Sequence, residues 1–249
     1  MMKTIKSKIK SSAWFQKIED ARAAKKFIDS PDTLVYVHIG KCGGESVWNA
    51  IQSSTLLKEK FNRVKRVHVE RPPVLRSAKY LIVVRNPISR AISAFNWRYK
   101  LVVVDEAQRN RFAGEYDILA KYRTLNALAE TLYKDGVLDT SAAEEFRSIH
   151  HLRESISFYL THLLNAIQPS QIYAVMATES LSKDVQVALG VAELEKVHEN
   201  ATSTDKSAKF LSAQGRANLR RFLSEDYLAL EKLLSLSDST SADKNVLLK

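Results

Sequence analysis

Thr33-Leu-Val-Tyr-Val-His-Ile39 is a run of β-branched and aromatic residues set off by Pro31, and it empties directly into Gly40-Lys41-Cys42-Gly43-Gly44. The run predicts a strand and the glycines a tight turn. From Glu45 to Leu57 the spacing of Val47, Trp48 and Ile51 becomes that of a helix. A strand that turns at once into a helix needs parallel neighbours, and two further runs supply them. Lys79 to Arg85 is apolar enough for a buried parallel strand, and Pro87 then fits the first turn of a helix carrying Ile88, Ile92 and Phe95. Ile172 to Ala177, after Pro169, is a third strand, followed by a helix over Leu181 to Leu189 that Gly190 ends.

The remaining segments fit around this frame. Arg66-Val-His-Val69 is a short extended piece before Pro72-Pro73, which interrupts regular structure. Residues 105–168 are mainly helical, with a break at Gly136 and an apolar stripe of Ile156, Tyr159, Leu160, Leu163, Leu164 and Ile167. A final helix spans Ser212 to Leu234. The expected fold is α/β: one P-loop-like, three-layer domain over residues 31–234, with a central, mostly parallel sheet flanked by helices and a helical insertion in mid-chain. A basic helical extension over residues 1–30 precedes it and a frayed tail over 235–249 follows.

Composition limits the function classes. The 249 residues are 45% hydrophobic and 27% charged, which excludes a disordered or collagen-like chain. One cysteine, Cys42, excludes an internal disulfide framework. No run approaches the roughly 18 apolar residues of a membrane span, and the N-terminal lysines lack the apolar stretch of a secretory signal. The net charge of +10 favours an anionic partner. Part of it lies in Lys3 to Lys26, punctuated by Ile5, Ile9, Trp14, Phe15 and Ile18. This stretch fits either a peripheral contact with a membrane or partner, or a solvated leading helix packing Trp14 and Phe15. Another part lies in Lys58 to Arg76, which suits an acidic glycan or a solvated basic face. Zinc-finger spacing, aromatic RNA-binding signatures and basic heptads are all missing, so nucleic acid is not the expected partner.

Lys41-Cys-Gly-Gly-Glu-Ser46 carries the most chemistry. A strand delivering glycine backbone into a helix N-terminus makes a cradle of N–H donors backed by the helix dipole. Gly43 and Gly44 let an anion approach the main chain, Lys41 adds a cation and Ser46 a hydroxyl. This is phosphate or sulfate chemistry. It is not the nucleoside-triphosphatase loop, because Val35 stands where that loop has its first Gly and Cys42 where it has its metal-holding Ser/Thr. The second anion signature is Arg85-Asn86-Pro87-Ile88-Ser89-Arg90-Ala91-Ile92-Ser93-Ala94-Phe95. Arg85 ends a strand where open α/β sheets bind ligands, and Ser93 follows two helical turns later on the same side. A guanidinium takes a phosphate bidentately, so Arg85 with Ser93 is expected to form a second phosphate clamp. Arg90 is either a third contact or a solvent-facing helix residue.

Together these residues resemble the sulfotransferases that use 3′-phosphoadenosine 5′-phosphosulfate (PAPS), in particular the carbohydrate branch of heparan and chondroitin enzymes and their bacterial relatives. His38-Ile39-Gly40-Lys41-Cys42-Gly43-Gly44-Glu45-Ser46 is similar to that family's His-Ile-Pro-Lys-Thr-Gly-Gly-Thr-Ser, which binds the 5′-phosphosulfate. The Arg85 to Phe95 stretch meets every position of its Arg-[Asp/Asn]-Pro-x-x-Arg-x-x-Ser-x-[Tyr/Phe], which binds the 3′-phosphate. Thr178-Glu179-Ser180-Leu181, the polar stretch Asn200 to Lys206, and Asp226-Tyr227 are similar to later family steps. Gly40, Cys42 and Glu45 depart from the pattern. The last places a carboxylate beside a polyanion unless it points away or pairs with a cation.

The resemblance implies sulfuryl transfer from PAPS to a hydroxyl, that of a carbohydrate acceptor, with PAP as product and no metal. Lys41, Cys42, Gly43, Gly44, Glu45, Ser46, Arg85 and Ser93 would bind the nucleotide, and Lys41 would also neutralise the leaving oxygen. The acceptor needs a base, for which His68 is the candidate and Glu70 the fallback. His38 is expected to pack at the end of its strand. His150, His151 and His162 could approach one another on helices, but without zinc spacing. Golgi members carry an N-terminal anchor not found here, which implies a cytoplasmic, bacterial-type protein unless the chain is a trimmed Golgi enzyme. A non-catalytic nucleotide- or sulfoglycan-binding protein, motivated by Glu45, and a nucleotide kinase are the alternatives.

Overall fold

A computed structural model describes residues 21–22, 25–193, 207–237 and 244–249. Most of the basic N-terminal extension, Trp14 and Phe15 included, and the polar stretch Asn200 to Lys206 lie outside the described residues.

Strand β1 (Thr33–His38) is buried at every position, as its apolar sequence requires. It passes through the glycine turn into α1 (Gly44–Ser53), then α2 (Thr55–Lys60) and strand β2 (Arg63–Val67). The single helix expected over Glu45 to Leu57 is interrupted at Ser54, which leaves helical geometry. Its Oγ accepts from Leu57 N at 3.1 Å, capping α2, and donates to Leu189 O at 2.6 Å. Strand β3 (Lys79–Val84) leads to α3 (Pro87–Tyr99), which continues as a π-helical turn over Lys100–Val104.

The insertion comprises α4 (Glu115–Tyr122), α5 (Leu125–Thr131), a two-residue antiparallel pair β4 (Tyr133–Lys134) and β5 (Val137–Leu138), α6 (Thr140–Ser148) and α7 (Ile156–Leu164). Gly136, with φ of 76°, makes the turn between β4 and β5, which is the break expected there. Strand β6 (Ile172–Ala177), α8 (Leu181–Leu189), α9 (Ala213–Phe222), α10 (Ser224–Leu236) and α11 (Lys244–Leu248) complete the order. The final helix is therefore two, divided at Leu223. The frayed tail is corrected over residues 244–249: Leu247 is fully buried and its carbonyl accepts from Asn86 Nδ2 at 3.1 Å.

The sheet order is β2-β1-β3-β6 and all three pairings are parallel. The fold is thus α/β with a central parallel sheet flanked by helices. β1 is wholly buried and β3 nearly so, which requires cover on both faces. That cover comes from Val47, Ala50 and Ile51 of α1, the Ile156 to Leu164 stripe of α7, Val185 and Leu189 of α8, and Leu230 and Leu233 of α10. A second apolar cluster joins Ile88, Ala91 and Phe95 of α3 to Leu119, Leu128, Phe146 and Leu219 of α4, α5, α6 and α9. The insertion is fastened to α3 by a buried ion pair. Arg98 Nη2 lies 2.6 Å from Glu115 Oε2, and Arg98 Nε donates to Glu115 Oε1 at 2.9 Å.

From β1 the chain goes to β2 on one side, then crosses to β3 on the other. The carboxyl ends of β1 and β3 therefore flank a topological switch point, where a parallel sheet opens a crevice. Both anion signatures lie there.

Candidate functional site

The glycine turn is built by β1's own side chains. Cys42 N donates to Ile39 O at 3.3 Å, closing the turn, while Lys41 and Gly43 take positive φ angles of 69° and 75°. Tyr36 Oη donates to Gly44 O at 3.0 Å, pinning the start of α1 to the strand. A Cβ on Gly44 would lie 1.8 Å from His38 Nε2, so only glycine admits the imidazole there. His38 packs at the strand end as expected, and burial, then the charges of His68 and Arg66, lower its pKa to about 3. Gly43, the N-cap of α1, has no side chain to cap the first turn, and that turn begins at the carboxyl end of β1.

Lys41 projects its Nζ over the Trp97 ring, 4.6 Å from the centroid. Burial, followed by the nearby Arg85 charge, lowers its pKa to about 8. Arg85 is the partner that ties the two signatures together, because its Nη1 donates to Lys41 O at 3.1 Å. The second turn is held from behind: Asn86 Oδ1 caps α3 by accepting from Ser89 N, and Asn86 N donates to Glu179 Oε1, each at 3.0 Å. Thr178 Oγ1 donates to Val84 O at 3.1 Å. The Thr178-Glu179 step therefore supports the Arg85 turn from β6. Ser93 lies buried on α3, and Ser46 half-buried in the first turn of α1.

Two residues stand differently from the expectation. Cys42 is fully buried with its thiol pushed up to about 11, chiefly by burial, and its N–H is used inside the turn, so it shapes the cradle without facing it. Arg90 is not solvent-facing. It is 3% exposed, and its guanidinium donates to the carbonyls of Gly40 (2.9 Å), His151 (2.8 Å) and Glu154. A helix residue that reaches three main-chain acceptors across two loops is a brace.

Glu45 is paired. Arg66 Nη1 donates to its two carboxylate oxygens at 3.1 and 3.0 Å, and the guanidinium also lies over Trp48, 5.1 Å from the ring centroid. The register that sets Val37 beside Val67 brings β2 to this side of the turn. His68 follows β2 directly, its Nδ1 3.1 Å from His38 O and its ring stacked on His38 with centroids 4.1 Å apart. Since a carbonyl only accepts, Nδ1 carries the proton and Nε2 holds the lone pair. Glu70, the fallback base, is exposed and lies 3.6 Å from Lys26 Nζ.

His151 is the site residue that motif matching missed. Its ring centroid lies 6.4 Å from that of His68 and 4.1 Å from that of His150. His162 is on α7, and among the described residues no group of three His, Cys, Asp or Glu side chains could hold a metal ion. The departure at Gly40 was the available signal, because a Cβ there would lie 2.7 Å from His151 Nδ1. No helix among the described residues is long and apolar enough to cross a membrane.

No family model matches the chain, and no solved structure matches it. Among curated proteins, the UvrABC system protein C of Borrelia hermsii (strain HS1 / DAH) is 22% identical over 238 residues. That alignment covers 90% of this chain but 39% of that protein, so the chain spans well under half the length of the relative it matches.

Proposed function

We propose that this chain is a sulfotransferase that moves the sulfuryl group of PAPS to a hydroxyl of a carbohydrate acceptor. The observation that carries the proposal is the Arg85–Lys41 hydrogen bond, which joins two anion-binding turns at the carboxyl ends of adjacent parallel strands. One turn offers glycine backbone and an ammonium, and the other a guanidinium, which suits a nucleotide with phosphate at both ends.

In the transfer, the acceptor oxygen attacks sulfur while the bond from sulfur to the 5′-phosphate oxygen breaks and PAP leaves with that electron pair. Lys41 and the first-turn N–H groups of α1 stabilise the charge on the departing oxygen. The acceptor's proton passes to Nε2 of His68, the tautomer favoured by the His38 carbonyl. The step needs positioning and charge compensation more than covalent help.

Glu45 was the motive for a binding-only protein of the same fold. Its pairing with Arg66 offsets the carboxylate beside the donor, so it favours that alternative no longer. Exposed Lys58, Lys60, Arg63 and Lys65 lie on α2 and on β2, the strand that leads to His68, and suit an acidic glycan. Incubation with PAPS and a panel of glycans and lipid-linked sugars should yield an acceptor heavier by one sulfate and an equal amount of PAP, without added magnesium. Binding of PAP with no sulfated product from any acceptor would favour the binding-only alternative.

A further inference from the structure

Gly40 does not have a left-handed φ, so its backbone conformation does not require glycine. What requires it is the imidazole of His151, whose Nδ1 would lie 2.7 Å from any Cβ at this position. His151 itself has a φ of 68°, the left-handed region that residues other than glycine seldom adopt. Arg90 holds the two together by donating to the carbonyls of both Gly40 and His151. The loop after α6 thus uses a seldom-adopted backbone conformation and a buried guanidinium to press one half-buried histidine against the cradle.

The cradle has few side-chain donors of its own. Cys42 is buried, and the Glu45 carboxylate, an acceptor only, is engaged by Arg66. The His151 ring nitrogens bond to no other described residue, while its ring faces His68 and His150. We infer that His151 is a donor-binding residue of the same site, its imidazole N–H hydrogen-bonding the 5′-phosphosulfate that lies on the glycine turn. The inference rests on the PAPS proposal and adds a contact from the mid-chain insertion. Burial, then the charges of His150, Lys41, Arg90 and His68, lower the imidazole's pKa to about 2, so it serves as a neutral donor at physiological pH.

The experiment is a double-substitution cycle read by calorimetric titration with PAP. Because glycine tolerates a positive φ, His151→Gly deletes the ring without adding strain. It should weaken PAP binding about tenfold while the melting temperature stays within a few degrees. Gly40→Ala should weaken binding comparably by displacing the ring, and the double variant should be no weaker than either single one. His151→Asn, which also tolerates this backbone and keeps a donor, should retain affinity within about threefold. Wild-type affinity in His151→Gly, or fully additive losses in the double variant, would overturn the assignment of His151 while leaving the PAPS proposal standing. Failure of the unsubstituted protein to bind PAP would remove that proposal, and this contact with it.

Discussion

The Arg85 guanidinium donates to the Lys41 carbonyl at 3.1 Å, so the residue that follows β3 holds the turn that follows β1. The bond places a second cation beside Lys41, whose pKa is lowered first by burial and then by Arg85. An anion entering the crevice would meet two positive groups that are costly together in its absence, and its charge would relieve both.

Lys41 loses its proton near pH 8 in the free protein. PAP affinity should hold up to about that pH and then fall by up to about tenfold per unit, because the anion favours the protonated amine. Burial penalises the ammonium in the folded state, so the unfolded chain binds more protons between about 8 and 10.5, and Lys41's contribution to stability rises with pH there. Lys41→Met should therefore melt no lower than wild type at pH 7 while sulfate transfer is lost. Thermal melts paired with a labelled-PAPS assay check both halves.

Arg66 neutralises Glu45 beside the glycine turn. Arg66→Ala should weaken PAP binding by roughly threefold to tenfold, as expected when a half-exposed carboxylate faces an incoming anion unpaired. Adding Glu45→Gln should restore most of the loss. If the double variant binds no better than Arg66→Ala, the carboxylate is not the cause.

His68→Asn keeps an N–H where Nδ1 donates to His38 O but has no atom in place of Nε2. Turnover should drop by about 100-fold or more, with PAP affinity unchanged, as expected for loss of a general base. A parallel loss of PAP affinity in calorimetry would make His68 a structural residue.

His38 and His151 are held neutral, with pKa values lowered to about 3 and about 2, chiefly by burial. Below pH 6.5 the unfolded chain takes up protons that the folded chain refuses, so stability should fall steadily as pH drops from 6.5 towards 3. Urea midpoints at pH 7, 6 and 5 should decline in that order. His38→Phe, an aromatic without the titrating group, should flatten part of the decline; an unchanged slope would contradict this origin.

Arg98 is 1% exposed and Glu115 not at all. Removing one charge from such a pair typically costs about 3–5 kcal/mol, because the other stays buried and unpaired. Glu115 also accepts from His150 N at 2.8 Å, so Arg98→Ala should loosen the His150–His151 loop as well. Urea denaturation measures the first effect, and increased proteolysis near residue 150 reports the second.

Strands β1, β3 and β6 were legible as short apolar runs, and both site turns because glycine and arginine occupy fixed offsets from strand ends. Strand β2 was not: Arg63–Val67 is charged and mostly exposed, and the extended piece expected from Arg66 overlaps only its last two residues. The helix breaks were not legible either. Ser54 ends one helix and caps the next through contacts with Leu57 and the distant Leu189, which no local pattern contains. Arg90 matched a binding motif, yet its direction depends on carbonyls in two loops, one of them 61 residues onward. His151 was visible only as a possible metal ligand, since its approach to Gly40 follows from how the insertion folds back. The pairing of Glu45 with Arg66 was anticipated only as a condition: a carboxylate there needs a cation, and the β1–β2 register supplies one.

The most direct test of a two-ended grip is titration calorimetry comparing PAP with adenosine 5′-phosphate, which lacks the 3′-phosphate. One PAP should bind per chain, at least about tenfold more tightly than adenosine 5′-phosphate, with Arg85→Ala erasing the difference. No heat with PAP, or equal affinity for the two nucleotides in the unsubstituted protein, would contradict the account.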